Sequence, residues 1–143
     1  MAREADKIKK HQQQIIKEIG NMVTIMGVEA KNHYVKSFRD GGFTDDALVN
    51  WQQRKRTERS RRGNRAILVK SGDLRRSVRV VSKSQFSVTL GSDLIYARVH
   101  NDGLRAGRGK GFMMPKRQFI GASRQLSVRL YNRFDKRIQS IFK

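Results

Sequence analysis

The chain has 143 residues, 37% of them hydrophobic and 31% charged, and its 32 lysines and arginines against 12 acidic residues give a formal net charge of +20. These values fit one domain with a small core and long solvated helices or arms, and the absence of cysteine excludes disulfides, thiolate zinc sites and cysteine nucleophiles. So large a charge repels itself and calls for an acidic partner, whether nucleic acid, an acidic protein surface or an anionic membrane.

The opening residues, Met1 to Asp6, carry mixed charges and lack the apolar core of a signal peptide. No stretch approaches the roughly 18 apolar residues of a membrane span. The expectation is a protein that is not exported and does not engage a membrane.

Ile8, Ile15, Ile19, Met22, Met26, Ala30, His33 or Tyr34, and Phe38 recur at the helical period, which predicts an amphipathic helix over 4–38. Lys9, Lys10, Gln13, Lys17, Lys31 and Lys36 occupy its other faces. Gly20 and Gly27 argue against an unbroken helix, or else mark close approach to a second helix. Gly41 and Gly42 supply the stop.

Residues 43–66 read as a separate zone anchored by Phe43, Leu48, Val49 and Trp51. Thr44 with Asp45 and Asp46 has the pattern of a helix start, a capping hydroxyl followed by carboxylates at the positive end. A basic arm follows, with Trp51, Arg54, Lys55, Arg56, Arg59, Arg61, Arg62 and Arg65 as its candidate contact residues. Such a run stays extended until a partner neutralises it. It suits phosphates or an acidic protein equally, but no aromatic lies within it, which weakens a base-stacking role.

Residues 67–121 predict a small β unit and a glycine-rich loop. Ser77–Ser82 and Phe86–Gly91 are valine-bearing strand candidates joined by a short polar loop, and 93–101 fits either a strand or a short helix. Gly107, Gly109 and Gly111 mark a mobile contact loop whose cations are Arg105, Arg108 and Lys110. It lacks the spacing of a phosphate-binding loop. A second amphipathic helix is predicted over 123–142, with Leu126, Leu130, Tyr131, Phe134, Ile138, Ile141 and Phe142 as its stripe. The whole reads as one α+β domain over 1–143, in which long N- and C-terminal helices pack on a small antiparallel sheet beside an extended basic arm.

No metal-ligand spacing, nucleophile elbow or P-loop is present, so no catalytic residue, cofactor or metal is assigned. His11, His33 and His100 sit in no metal-ligand spacing with carboxylates, and His100, four residues after Tyr96, reads as a packed histidine bonded to backbone or, failing that, as part of a subunit contact.

Four pieces, in order, resemble the phage virion morphogenesis family, the tail-completion proteins of Mu-like and related phages. Leu68 to Ser77 resembles a Leu-x-x-Ser-Gly-x-Leu-x-x-Ser signature carrying Gly72 and Leu74. Val88 to Gly91 resembles a strand ending in glycine. Tyr96 to Gly103 resembles Tyr-Ala-x-x-His-x-x-Gly, with His100 inside it. Met114 to Ser123 resembles the Pro-x-Arg-x-Phe-x-Gly-x-Ser block, with Pro115, Arg117 and Phe119. Trp51 opens the stretch; the usual proline before it is missing.

The resemblance implies a non-enzymatic virion protein at the neck or the top of the tail, passing through the host cytoplasm during assembly. It implies partners in itself, as a ring guessed to be six-fold, in connector or portal-side and tail proteins, and in DNA of the channel at most by contact. The motif residues would build the scaffold: Gly72 a turn, Leu74 an anchor for the first strand, Tyr96 and His100 a short helix on the sheet, and Phe119 a plug in the core. The charge alone supports a second reading, a nucleic-acid-binding protein of packaging or ribosome association.

Overall fold

The computed structural model describes residues 2–54 and 66–142. The first helix, α1 (Ala2–Asp40), is continuous through both interior glycines. Gly20 faces open space, whereas a Cβ on Gly27 would meet the γ-methyls of Val88 and Val80 at 3.1 and 3.2 Å. Gly27 therefore marks close approach of a hairpin, not of a second helix. The helix ends at Gly41, whose φ of 67° closes it in the left-handed region.

Where a helix start was expected, the chain forms a hairpin. Strands β1 (Gly42–Thr44) and β2 (Leu48–Asn50) pair antiparallel with Phe43 opposite Val49. Asp45 and Asp46 occupy the bend between them. The carboxylate still caps a helix, but one far along the chain: Asp45 Oδ1 accepts the backbone N–H of Arg124 at 2.7 Å. Residues 43–54 are thus folded structure, and the remainder of the expected arm, 55–65, lies outside the described residues.

After Ala66 a tight turn holds Leu68 at φ 60°, and Gly72, at φ 80°, leads into the short helix α2 (Asp73–Ser77). Leu74 enters the core from that helix, so the turn arises as expected but the anchor belongs to a helix and not to the first strand. Strands β3 (Arg79–Lys83) and β4 (Val88–Gly91) form an antiparallel hairpin with an irregularity at Val80/Ser82. Residues 93–101 resolve in favour of helix, α3 (Ile95–Asp102), which closes at Gly103. The glycine-rich stretch is a small hairpin of β5 (Arg105–Ala106) and β6 (Phe112–Met113). The last helix, α4 (Arg124–Ile141), begins at Ser123, whose hydroxyl accepts the N–H of Leu126 at 3.2 Å.

The architecture is α+β, and among the described residues three separate two-stranded hairpins stand in place of one sheet. The helices α1 and α4 run antiparallel: Arg129 and Arg133 bind Glu29, while Arg137, further along α4, binds Glu18, nearer the start of α1. The main core gathers Phe38, Trp51, Ile67, Leu74, Val78, Ala97 and Phe119. The aromatic rings interlock, Phe38 against Phe119 at 5.0 Å and against Trp51 at 5.7 Å.

Candidate interaction site

Of the scaffold residues named from sequence, Leu74 and Phe119 enter this core, whereas Tyr96, expected to pack α3 on the sheet, is 44% exposed. Phe119 is 1% exposed, and its N–H and that of Ile120 both donate to Asn101 Oδ1 at 3.0 Å. Trp51, grouped with the arm in the sequence, is instead 4% exposed and donates its indole N–H to the Gln118 carbonyl at 2.7 Å. It is a core residue, because the chain doubles back from Gly41, whose carbonyl takes the Trp51 N–H at 2.8 Å. Gly103 stands where any Cβ would lie 2.9 Å from the Lys116 backbone nitrogen, and its φ is 73°. Pro115 precedes the crossing where the Arg117 N–H donates to the His100 carbonyl at 2.8 Å.

Beside that crossing is a cleft of about 480 Å³. Its floor and walls come from five short stretches: Arg54, then Leu68, Lys70 and Ser71, Asp73 and Leu74 of α2, Tyr96 and His100 of α3, and Met114 and Arg117. Arg117 is the buried cation, 7% exposed. Its Nε and Nη2 both donate to one acceptor, the Gln52 carbonyl, at 3.3 and 3.1 Å. No carboxylate pairs with it among the described residues. Burial, and then the charge of Arg54, pull its pKa below the ordinary arginine value.

His100 shares the cleft. Its Nδ1 is buried without a hydrogen-bond partner, the one such side-chain atom among the described residues. The backbone bond expected for its ring is not met there. Burial, followed by the Arg117 charge, holds its pKa below the ordinary histidine value. Asp73, the acidic group of the cleft, is already engaged by Arg76 at 2.5 Å and by the Ser71 hydroxyl. Arg54 reaches the Ala66 carbonyl at 3.4 Å, so the two residues flanking 55–65 lie side by side.

Of the expected arm cations, Arg54 is on this cleft; Lys55, Arg56, Arg59, Arg61, Arg62 and Arg65 lie outside the described residues. The expected contact loop is present as the β5–β6 hairpin. Arg105, Arg108 and Lys110 are exposed on it, Arg105 bonds the Lys110 carbonyl, and Phe112 and Met113 are exposed beside them. Because Gly111 N–H closes on the Arg108 carbonyl at 3.1 Å, the loop has a defined turn.

A second concavity, about 490 Å³ and apolar, lies between α1, α4 and the tip of the β3–β4 hairpin, with Met22, Met26, Leu130, Phe134 and Phe86 among its walls. No group of three metal-capable side chains occurs among the described residues. No helix among them is long and apolar enough to cross a membrane.

Sequence reasoning anticipated the buried ring of Phe119 and missed the cleft. Lys70 gave no signal of its own, and Arg117 was read only as a scaffold residue before the last helix. Its burial beneath Gln52 follows from contacts across 65 positions of sequence.

The model of the phage virion morphogenesis family matches residues 46–139, which extends past the motif blocks to most of α4. No curated protein and no solved structure matches the chain.

Proposed function

Because the chain belongs to the phage virion morphogenesis family, we propose that it is a neck or tail-completion subunit that joins tail to head through protein–protein contacts and makes or breaks no covalent bond. Its role in phage structure and assembly follows from the family; the position in the particle is the finer reading. The partners are further copies of itself in a closed ring, six-fold in the simplest case, and the connector-side and tail proteins above and below.

The observation that carries this reading is the exposed start of α1, where His11 meets the Phe142 ring edge-on at 6.1 Å. Residues 3–14 are exposed on every face, Ile8 at 59%. At 1.5 Å per residue these twelve positions extend about 18 Å. A solitary helix end of this length is marginal in water and gains its stability from packing. Ile16, at 56% exposure, and the apolar groove of α1 and α4 continue the same unfilled surface. Contacts of this kind, repeated around a ring, give avidity from individually modest interfaces.

The competing reading, nucleic-acid binding, rests on the charge of +20. Against it, the arginines of α4 that face α1 are spent on internal carboxylates, Arg129 and Arg133 on Glu29 and Arg137 on Glu18. Native mass spectrometry of the purified chain, free of nucleic acid, separates the two. A closed oligomer supports the neck reading. A monomer that associates only on random DNA, with affinity falling steeply in salt, supports the other.

A further inference from the structure

We propose that the cleft between α2, α3 and the 114–117 crossing is a receptor for a single carboxylate of an acidic side chain on a partner protein, gripped by Arg117 with Arg54, Lys70 and His100 around it. This deepens the assembly reading and rests on it, since it names the chemistry of one contact the subunit makes.

The first observation is an incomplete charge. A guanidinium has five N–H donors; Arg117 uses two, on one carbonyl, and the other three have no partner among the described residues. Holding a cation at 7% exposure against a neutral oxygen, with Arg54 close by, costs free energy that an entering anion would return. A carboxylate can take the guanidinium in two parallel bonds.

The second observation is independent of charge counting. The one orphaned buried side-chain nitrogen among the described residues, His100 Nδ1, belongs to the same cleft. A buried polar group without a partner has lost its hydration and gained nothing in return. Native structures rarely leave such a cost standing unless something arrives to meet it.

The shape selects the class of partner. Leu68, Leu74 and Met114 give the cleft apolar walls that suit the methylenes of a glutamate. At about 480 Å³ it has room for a glutamate together with its neighbouring residues. A duplex could not bring its phosphates down to an arginine so buried. Lys70, exposed at the mouth, steers the acidic side chain in.

The test uses the full chain and a short blocked peptide with one glutamate between leucines, titrated while the His100 ring and Arg117 Nε resonances are followed by nuclear magnetic resonance. Saturable shifts at both are expected, absent when glutamine replaces the glutamate, and weakened roughly tenfold by Lys70→Glu. Lys70 is exposed, so that variant keeps its fold where one of Arg117 could lose it. An absent shift, an equal shift with the glutamine peptide, or indifference to Lys70→Glu overturns the proposal. So does tighter capture of a single-stranded oligonucleotide at the same two resonances. A change in the free protein on Glu58→Gln, a residue outside the described set, would make the occupant internal and overturn it as well. None of these outcomes depends on ring formation, so the assembly reading and this site fail separately.

Discussion

The carboxylate of Asp45 accepts the backbone N–H of Arg124 at 2.7 Å, which places a residue of the β1–β2 bend on the N-terminus of α4, 79 positions away in sequence. The Asp45 carbonyl also takes the Gln125 N–H at 3.0 Å. A negative charge at the positive end of the helix adds to the hydrogen bond. Asp45→Ala is therefore expected to cost ~1 kcal/mol, the ordinary worth of a cap, read from the urea midpoint. Asp46→Ala, which removes only an exposed 3.4 Å pair with Arg124, should shift it far less. Equal effects would mean that charge near α4, not the cap, is what counts.

Phe119 is packed under Phe38 and sealed by the hydrogen bonds of its own backbone to Asn101. Phe119→Ala should destabilise by about 3–5 kcal/mol, since the surrounding rings cannot collapse into the space. Thermal unfolding checks it; an unchanged midpoint would show that the ring does not fill the core.

The two interior glycines of α1 should respond oppositely. Gly20 meets nothing within 4 Å, so Gly20→Ala gains the helix propensity of alanine, up to ~1 kcal/mol, at no steric cost. Gly27 lies against Val80 and Val88, and Gly27→Leu must push the β3–β4 hairpin off the helix. Circular dichroism melts should show a rise for the first and a fall for the second.

Stability should decline as pH falls below 6.5, through His33 and His100. His33 donates from Nε2 to the Thr44 carbonyl at 3.0 Å, which leaves Nδ1 to accept from Arg129 at 3.3 Å. That arrangement needs the neutral ring. Burial first, and then Arg129 and Lys36, hold its pKa below 6.5, against the pull of Thr44; burial and then Arg117 do the same for His100. A depressed folded pKa means that the unfolded chain binds the proton more readily. The contribution is full above pH 6.5 and is lost as pH falls from there through the folded values. Asp40 and Asp73, both held below 3.8, act only at lower pH. Urea midpoints between pH 8 and pH 5 should slope downward, and His33→Gln should flatten the slope.

The long helices were legible because Ile15, Ile19, Met22 and Met26, and later Leu126, Leu130 and Phe134, repeat a period that only a helix satisfies. The β3–β4 hairpin was legible from its valines. The β1–β2 hairpin was not: Thr44, Asp45 and Asp46 carry a capping signal that is genuine, but the helix they serve begins at Arg124. Local sequence cannot show which helix a carboxylate will cap. Trp51 was drawn toward the basic run by adjacency, while its burial depends on Gln118. The cleft depended on bringing Arg54, Lys70, His100 and Arg117 together from distant parts of the chain, and no spacing in the chain encodes that meeting.

The central claim is that this subunit fastens tail to head. Electron microscopy of particles from a phage whose copy of this gene is interrupted tests it most directly. Filled heads and finished tails, both present and unjoined, are the predicted result, restored to whole particles when the purified chain is added. Intact, infectious particles that contain none of this polypeptide would contradict the account.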